Sequence, residues 1–172
     1  MKIICSSKQL VQAVDLATRM VGKQLSLPTL QGLLFLASGK SIKIRATNLN
    51  VGIDIEVPAT VELEGSVLIK GEIVSTILQN SVGDSVTLEL ENENLKVITG
   101  ASRNIVKALP LDDFPTLPIV EGEVFDIEAK LFAEGIRSVF FASSVTDIKP
   151  EIASVFVYND GLLTFVGTDS FR

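Results

Sequence analysis

The sequence predicts an α+β protein made of duplicated domains, in which antiparallel sheets combine with two helices per domain. Three observations lead there. Residues 27–50, LPTLQGLLFLASGKSIKIRATNLN, alternate apolar and polar side chains on either side of a glycine turn, which is the pattern of a β-hairpin. Residues 8–21 instead set Leu10, Val14, Ala17 and Val21 at helical spacing, with Lys8, Gln12, Asp15 and Arg19 on the opposite face. Both patterns then return about 120 residues later.

The return can be followed position by position. Pro28, Leu30 and Gly39 match Pro150, Ile152 and Gly161 at an offset of 122. One residue is lost at the turn, so Ile42, Ile44, Thr47 and Asn48 match Leu163, Phe165, Thr168 and Asp169 at 121. Upstream, Ile3, Cys5, Lys8, Leu10, Val14 and Ala17 match Phe125, Ile127, Lys130, Phe132, Ile136 and Val139, again at 122. A period this long describes duplicated domains and not a solenoid, whose units are roughly 20–50 residues. The expected division is a complete first domain at residues 1–122, with a linker over 110–122, and the truncated start of a second at 123–172.

In order, residues 1–6 read as a strand, and Ser6-Ser7 can cap the helix that follows. Gly22 is expected to end that helix. The hairpin comes next, with Leu30, Leu34 and Leu36 on alternate positions, a turn at Ser38-Gly39-Lys40, and Ile42 and Ile44 alternating with Lys43 and Arg45. Strands follow at 51–58 and 61–69, then a short helix over 71–79 whose apolar side is Ile73, Val74, Ile77 and Leu78. Residues 85–91, 95–99 and 102–109 read as three more strands. Pro110, Pro115, Pro118, Asp112, Asp113 and Gly122 mark the linker. The second repeat restarts as a strand at 124–128 and a helix at 129–141 that buries Phe132, Ile136, Val139 and Phe140, before a second hairpin. A domain cut at Arg172 is expected to leave sheet edges unpaired, so the chain reads as part of a longer design or as dependent on a partner.

Composition narrows the function. With 172 residues, 47% hydrophobic and 21% charged, the chain can bury a core without disulfides or metals. Its single cysteine, Cys5, lies in a strand pattern and reads as a buried apolar side chain, which fits a reducing compartment. The longest apolar run, Leu33 to Ala37, is too short to span a membrane, and no secretory signal opens the chain, so a cytoplasmic protein is expected. The net charge of −6 argues against a generic nucleic-acid binder but leaves room for a local basic surface.

Catalysis finds little support. There is no histidine, no cysteine cluster with zinc spacing and no glycine-rich phosphate loop, so no catalytic residue, metal or cofactor is expected. Asp112-Asp113 suits a proline-flanked turn better than a carboxylate pair, because adjacent side chains seldom face the same way. Thr168-Asp169 has Thr47-Asn48 as its counterpart, and an amide there points to structure. Ser143 and Ser144 have no base near them in sequence. The cations are more suggestive. Lys8, Arg19 and Lys23 recur as Lys130, Arg137 and Lys149 at equivalent places, diluted by Asp15 and Glu134. They are either ordinary solvated helix faces or one shared surface for phosphates.

Five stretches together carry a family pattern: MKIICSSKQLVQAVDLATRMV, LPTLQGLLFL, SGKSIKIRATNLNVGI, ALPLDDFP and SVFVYNDGLLTFVGTDSFR. The whole chain resembles the bacterial DNA sliding clamp, the beta subunit of DNA polymerase III. The most specific features are Leu109-Pro110 followed by Asp113-Phe114-Pro115, and Thr168-Asp169 with Arg172. The resemblance implies the DNA-clamp fold, with sheets outside and helices inside, repeated three times in each subunit. It implies a homodimeric ring that encircles double-stranded DNA, tethers the polymerase and is not itself a catalyst. This chain resembles only the first half of such a subunit. The alternative is a standalone clamp-fold module that binds a protein partner and no DNA.

Carried over by position, the resemblance implies DNA contacts at Lys23, Gln24, Lys149 and Pro150. It implies a cleft for peptide motifs of the DNA polymerase III alpha subunit and the clamp loader at Ile152, Thr168, Ser170, Phe171 and Arg172. It implies a subunit contact at Ile73, Ile77, Asn104 and Val106.

Overall fold

The computed structural model describes residues 1–22, 28–117, 122, 126–146 and 149–171. It separates into two compact units, Met1–Pro118 and Ile119–Arg172.

The first unit is one antiparallel sheet wrapped on two helices. Its strands are β1 (Lys2–Ser6), β2 (Gly32–Ser38), β3 (Ser41–Thr47), β4 (Gly52–Leu63), β5 (Gly65–Lys70), β6 (Ser85–Glu91), β7 (Asn94–Thr99) and β8 (Ser102–Lys107). The helices are α1 (Ser7–Thr18) and α2 (Gly71–Gln79), and a 3₁₀ turn spans Pro28–Gln31. The strand order is β5-β2-β3-β4-β1-β6-β7-β8. β4 is the hinge of this order. Its first half pairs with β3, from Thr47↔Gly52 to Ser41↔Pro58. Its second half pairs with β1, from Cys5↔Ala59 onward.

Pro58 was expected to end a strand, and 61–69 to form the next. Instead β4 runs through Pro58, and the break falls at Gly65, where φ is +152°. Pro58 is tolerated because it sits where β4 changes neighbours. The Ala59 N–H donates to the Lys40 carbonyl at 2.9 Å, so the N–H that Pro58 lacks would point the other way, where pairing with β1 has not yet begun.

The core lies between the sheet and the helices. From α1 it takes Leu10, Ala13, Val14 and Ala17, and from α2 Val74 and Leu78. From the central strands it takes Leu33, Phe35, Ala37, Ile42, Ile44 and Val57. The helix-facing stripe of β2 is therefore Leu33, Phe35 and Ala37. Leu34 and Leu36 pair with Arg45 and Lys43 on the outer face. α1 also differs from expectation at both ends. Ser6 holds the cap position but its side chain makes no cap bond, and the Ser7 N–H donates instead to Asp84 O at 2.9 Å. The helix stops at Thr18, whose hydroxyl bonds Val14 O at 2.7 Å, four residues before Gly22.

β8 ends at Lys107, but the chain stays on the first unit. Leu109 donates to Leu68 O at 2.8 Å along the edge of β5, and Thr29 Oγ1 donates to Asp113 O at 3.4 Å. Leu117 then lies over Gly52, where an added Cβ would fall 2.8 Å from its Cδ2. Residues 109–117 thus cross the outer face from β5 to β4.

The second unit holds helix α3 (Ala129–Val139), a 3₁₀ turn at Phe140–Ala142, and the hairpin β9 (Phe156–Asn159) and β10 (Leu163–Val166). α3 packs on β10, with Phe132 and Phe165 edge to face at 5.5 Å. No described side chain of this unit is fully buried, and Phe140 is exposed rather than covered. Asp126–Glu128, expected as part of a strand, are in none. Their first-unit counterparts belong to β1, which pairs with β4 and β6, and the described residues of the second unit include no strand in either place.

Candidate functional site

Three surfaces follow from the sequence expectations. The first is basic. Lys23 and Gln24 lie outside the described residues. Lys149 and Pro150 are exposed on a turn closed by Ile152 and Ala153 N–H bonds to Lys149 O, both 3.1 Å, and by Ser154 Oγ to Pro150 O at 2.7 Å. On the helices, Lys8 is exposed, while Arg19 is held by Asp15 at 2.6 Å one turn away. Beside Arg19 a cleft of about 530 Å³ opens between the end of α1 and the start of α2, lined by Thr18, Gln31, Lys70 and Glu72 among others. α1 with its cap residue and α3 carry Lys8, Arg19, Lys130 and Arg137 against Asp15 and Glu134. With Glu72 on α2 the helices are close to neutral, and the strands carry more bases than acids, so the surplus of acid in a chain of net charge −6 sits on the connections.

On the sheets the charges are largely matched. Lys2 meets Glu62 at 2.8 Å, Arg45 meets Asp54 at 3.0 Å, and Lys96 meets Glu91. The hydrogen bonds from Lys2 to Glu62 and from Lys96 to Glu91 hold both ammonium groups above their ordinary pKa. Exposure to water limits what such pairs add to stability.

The second surface is the expected peptide cleft. Ile152 and Thr168 are half-buried, and Ser170 and Phe171 are exposed; Arg172 lies outside the described residues. The Thr168 hydroxyl accepts the Ser170 N–H at 3.1 Å, and Asp169 Oδ1 accepts the Phe171 N–H at 2.9 Å. These side chains shape a turn. Sequence reasoning missed the neighbouring outer face of β9. There Phe156 and Tyr158 stack at 5.5 Å and stand 63% and 42% exposed. The signal was present in the alternation Val155-Phe156-Val157-Tyr158, which puts both rings on one face.

The third surface is the expected subunit contact. β8 ends the strand order, so among the described residues one edge of its backbone has no neighbouring strand. Ile77 and Asn104 line one groove of about 240 Å³ between α2 and β8, with Asn104 Nδ2 donating to Ser102 Oγ at 3.2 Å. Ile73, a turn earlier on α2, is 43% exposed. Val106 does not reach this surface. It shares the face of β8 that carries Asn104 but lies deeper, packed in the core at 5% exposed, while Ile105 on the opposite face is 69% exposed.

Among the described residues no three His, Cys, Asp or Glu side chains converge as metal ligands. Asp112 and Asp113 are both exposed. Cys5 is buried, and desolvation pushes its thiol up to about 11, so it is not a nucleophile near neutrality. No helix of the described residues is long and apolar enough to cross a membrane.

The family model described as the DNA polymerase III beta subunit, N-terminal domain, matches residues 1–118. The chain belongs to this family. The beta sliding clamp of Micrococcus luteus is 29% identical over 173 residues, covering all of this chain and 56% of that protein. The chain spans about half the length of the curated relatives it matches. In fold it is similar to the DNA polymerase sliding clamp of Bacillus subtilis, with a TM-score of 0.92 at 23% identity, over 99% of this chain and 48% of that one. It is also similar to the Helicobacter pylori beta clamp solved with a DNA ligase peptide, with a TM-score of 0.85 at 20% identity, over 99% of this chain and 49% of that one. The fold of this beta-subunit chain is thus the clamp fold, with a β-rich sheet wrapped on few helices.

Proposed function

We propose that this chain forms the first half of a sliding-clamp subunit: a complete first domain to residue 122 and the start of a second. The subunit closes with a second copy into a ring around duplex DNA and tethers the replicative polymerase. Its work is mechanical rather than catalytic, and it belongs to the cytoplasm. The observation that carries the reading is the family match over 1–118 combined with a duplicated clamp fold.

The charge distribution supports it. A ring that slides needs phosphate attraction weak enough to break continually, and helices that are close to neutral, with scattered cations at Lys8, Arg19, Lys130 and Arg137, fit that need. Lys23, Gln24, Lys149 and Pro150 are the proposed DNA contacts. Ile152, Thr168, Ser170, Phe171 and Arg172 are the proposed peptide cleft for the polymerase alpha subunit and the clamp loader, extended here to Phe156 and Tyr158. Ile73, Ile77 and Asn104 line the proposed subunit contact, with the free edge of β8 beside them.

The test is retention on DNA of the ring assembled from the subunit that carries this sequence. Co-elution with nicked circular plasmid that disappears on linearisation is the expected result. Equal binding to circular and linear DNA, or none to either, would overturn the reading.

A further inference from the structure

The groove of about 240 Å³ between α2 and β8 is lined by Thr76, Ile77, Asn80, Ser81, Ser102 and Asn104, none of them charged. On β8 the reason is alternation. Ser102 and Asn104 line the groove, and Arg103 and Lys107 share the opposite face with Ile105. The one charge of α2, Glu72, lines the separate cleft beside Arg19. Much of the donor capacity is already used within the chain. Thr76 Oγ1 donates to Glu72 O at 2.8 Å and Ser81 Oγ to Ile77 O at 2.5 Å. One amide N–H of each asparagine is used as well, from Asn80 to Thr76 O at 2.8 Å and from Asn104 to Ser102 Oγ at 3.2 Å. Among the described residues neither asparagine Oδ1 accepts a bond. Thr99 pairs with Ser102 across β7 and β8, so their side chains share a face, and the Thr99 hydroxyl is buried there with no partner among the described residues.

We infer that this groove seats uncharged hydrogen-bond donors of a second copy, backbone N–H or side-chain amide and hydroxyl groups, so that the subunit contact is selected here by hydrogen bonds and not by apolar packing or ion pairs. This rests on the reading of Ile73, Ile77 and Asn104 as the subunit contact. The groove is continuous with the edge of β8 that, among the described residues, has no neighbouring strand, so a strand laid on that edge brings its own donors to the amide oxygens. An apolar side chain would desolvate those oxygens without replacing their bonds to water. A guanidinium or ammonium fits no better, because the lining holds no carboxylate to offset its lost hydration. Asn104 thus discriminates among edge strands, favouring one that presents a donor opposite it.

The measurement is the monomer–dimer equilibrium of the full-length subunit that carries this sequence, by sedimentation. Asn104→Leu, similar in size but unable to accept a bond, should raise the dissociation constant about fivefold or more. The factor should be the same at about 0.05 M and 0.5 M salt, because no charge is lost on either side. A smaller loss or a tighter dimer overturns the inference in favour of apolar packing. A factor that shrinks as salt rises overturns it in favour of a charged partner group. If Asn104→Leu loses its native amide dispersion, Asn80→Leu, at an exposed position, is held to the same criteria. Ile73→Asp tests the underlying reading separately and should break the dimer. A dimer that survives Ile73→Asp removes the subunit contact itself, and this inference with it. A dimer broken by Ile73→Asp but indifferent to Asn104→Leu keeps the contact and removes only this inference.

Discussion

Leu49 and Ser170, 121 residues apart, carry the same left-handed backbone, with φ of 76° at one and 74° at the other. The hydrogen bonds around them repeat too. Leu49 N–H bonds Thr47 Oγ1 at 3.0 Å, as Ser170 N–H bonds Thr168 Oγ1 at 3.1 Å. Asn50 N–H bonds Asn48 Oδ1 at 3.0 Å, as Phe171 N–H bonds Asp169 Oδ1 at 2.9 Å. The Thr-Asn and Thr-Asp pairs thus fold the chain after each hairpin, a structural task rather than a catalytic one.

Thr47 also donates to Val51 O at 2.9 Å and is buried. Thr47→Val should therefore cost about 1–2 kcal/mol, because it strands the Leu49 N–H and removes one of two bonds to Val51 O, which keeps the Asn48 N–H at 3.2 Å. Thr168→Val, half-exposed, should cost less. Denaturant midpoints of the two variants would show this order, and a larger loss at Thr168 would contradict it.

Thr99 is the converse case. Its hydroxyl is buried and is the one such side-chain atom without a hydrogen-bond partner among the described residues. Thr99→Val keeps the shape and removes the desolvated oxygen, so stability should hold or rise by up to about 1 kcal/mol. A clear loss in thermal midpoint would mean the hydroxyl has a partner in solution.

Gly135 on α3 corresponds to Ala13 on α1, and Phe165 to Ile44. The second repeat has the smaller helix residue and the larger strand residue, Gly135 with Phe165, where the first has Ala13 and Ile44. A Cβ on Gly135 would fall 2.4 Å from the Phe165 ring. Gly135→Ala alone should destabilise the second unit by ~1–3 kcal/mol. Adding Phe165→Ile should recover much of that, and a double-mutant cycle on chemical denaturation measures the coupling.

Cys5 sets a pH dependence. Burial raises its thiol from 9.0 to about 11, so the folded state favours the neutral form. That preference is fully present below the unfolded value and is lost as the pH rises from about 9 through 11, because the unfolded thiol ionises first. Lys2, raised by Glu62, loses its contribution in the same direction at still higher pH. Denaturant midpoints should fall over this range, and Cys5→Val should flatten the fall. A thiol reagent should react at the rate of unfolding, not faster.

Much of this fold was legible in local pattern, and its failures have specific causes. The period of α1 and the turns at Gly39 and Gly161, with φ of 59° and 80°, were readable because each depends on neighbouring residues. The phase of β2 was not, since Leu33 through Ala37 are apolar on both faces and only the crossing segment explains why. Pro58 reads as a break unless the change of partner at that residue is known. Val106 and Asn104 share one face of β8, and only depth in the core separates them, which alternation alone does not show.

β4 has a consequence in mechanics. Its seven pairings with β3 and four with β1 lie end to end on opposite edges of one continuous strand. A load drawn along it is carried in shear, across bonds perpendicular to the pull, so they resist together rather than opening one after another. The strand works as a tie-beam joining the two halves of the first unit's sheet.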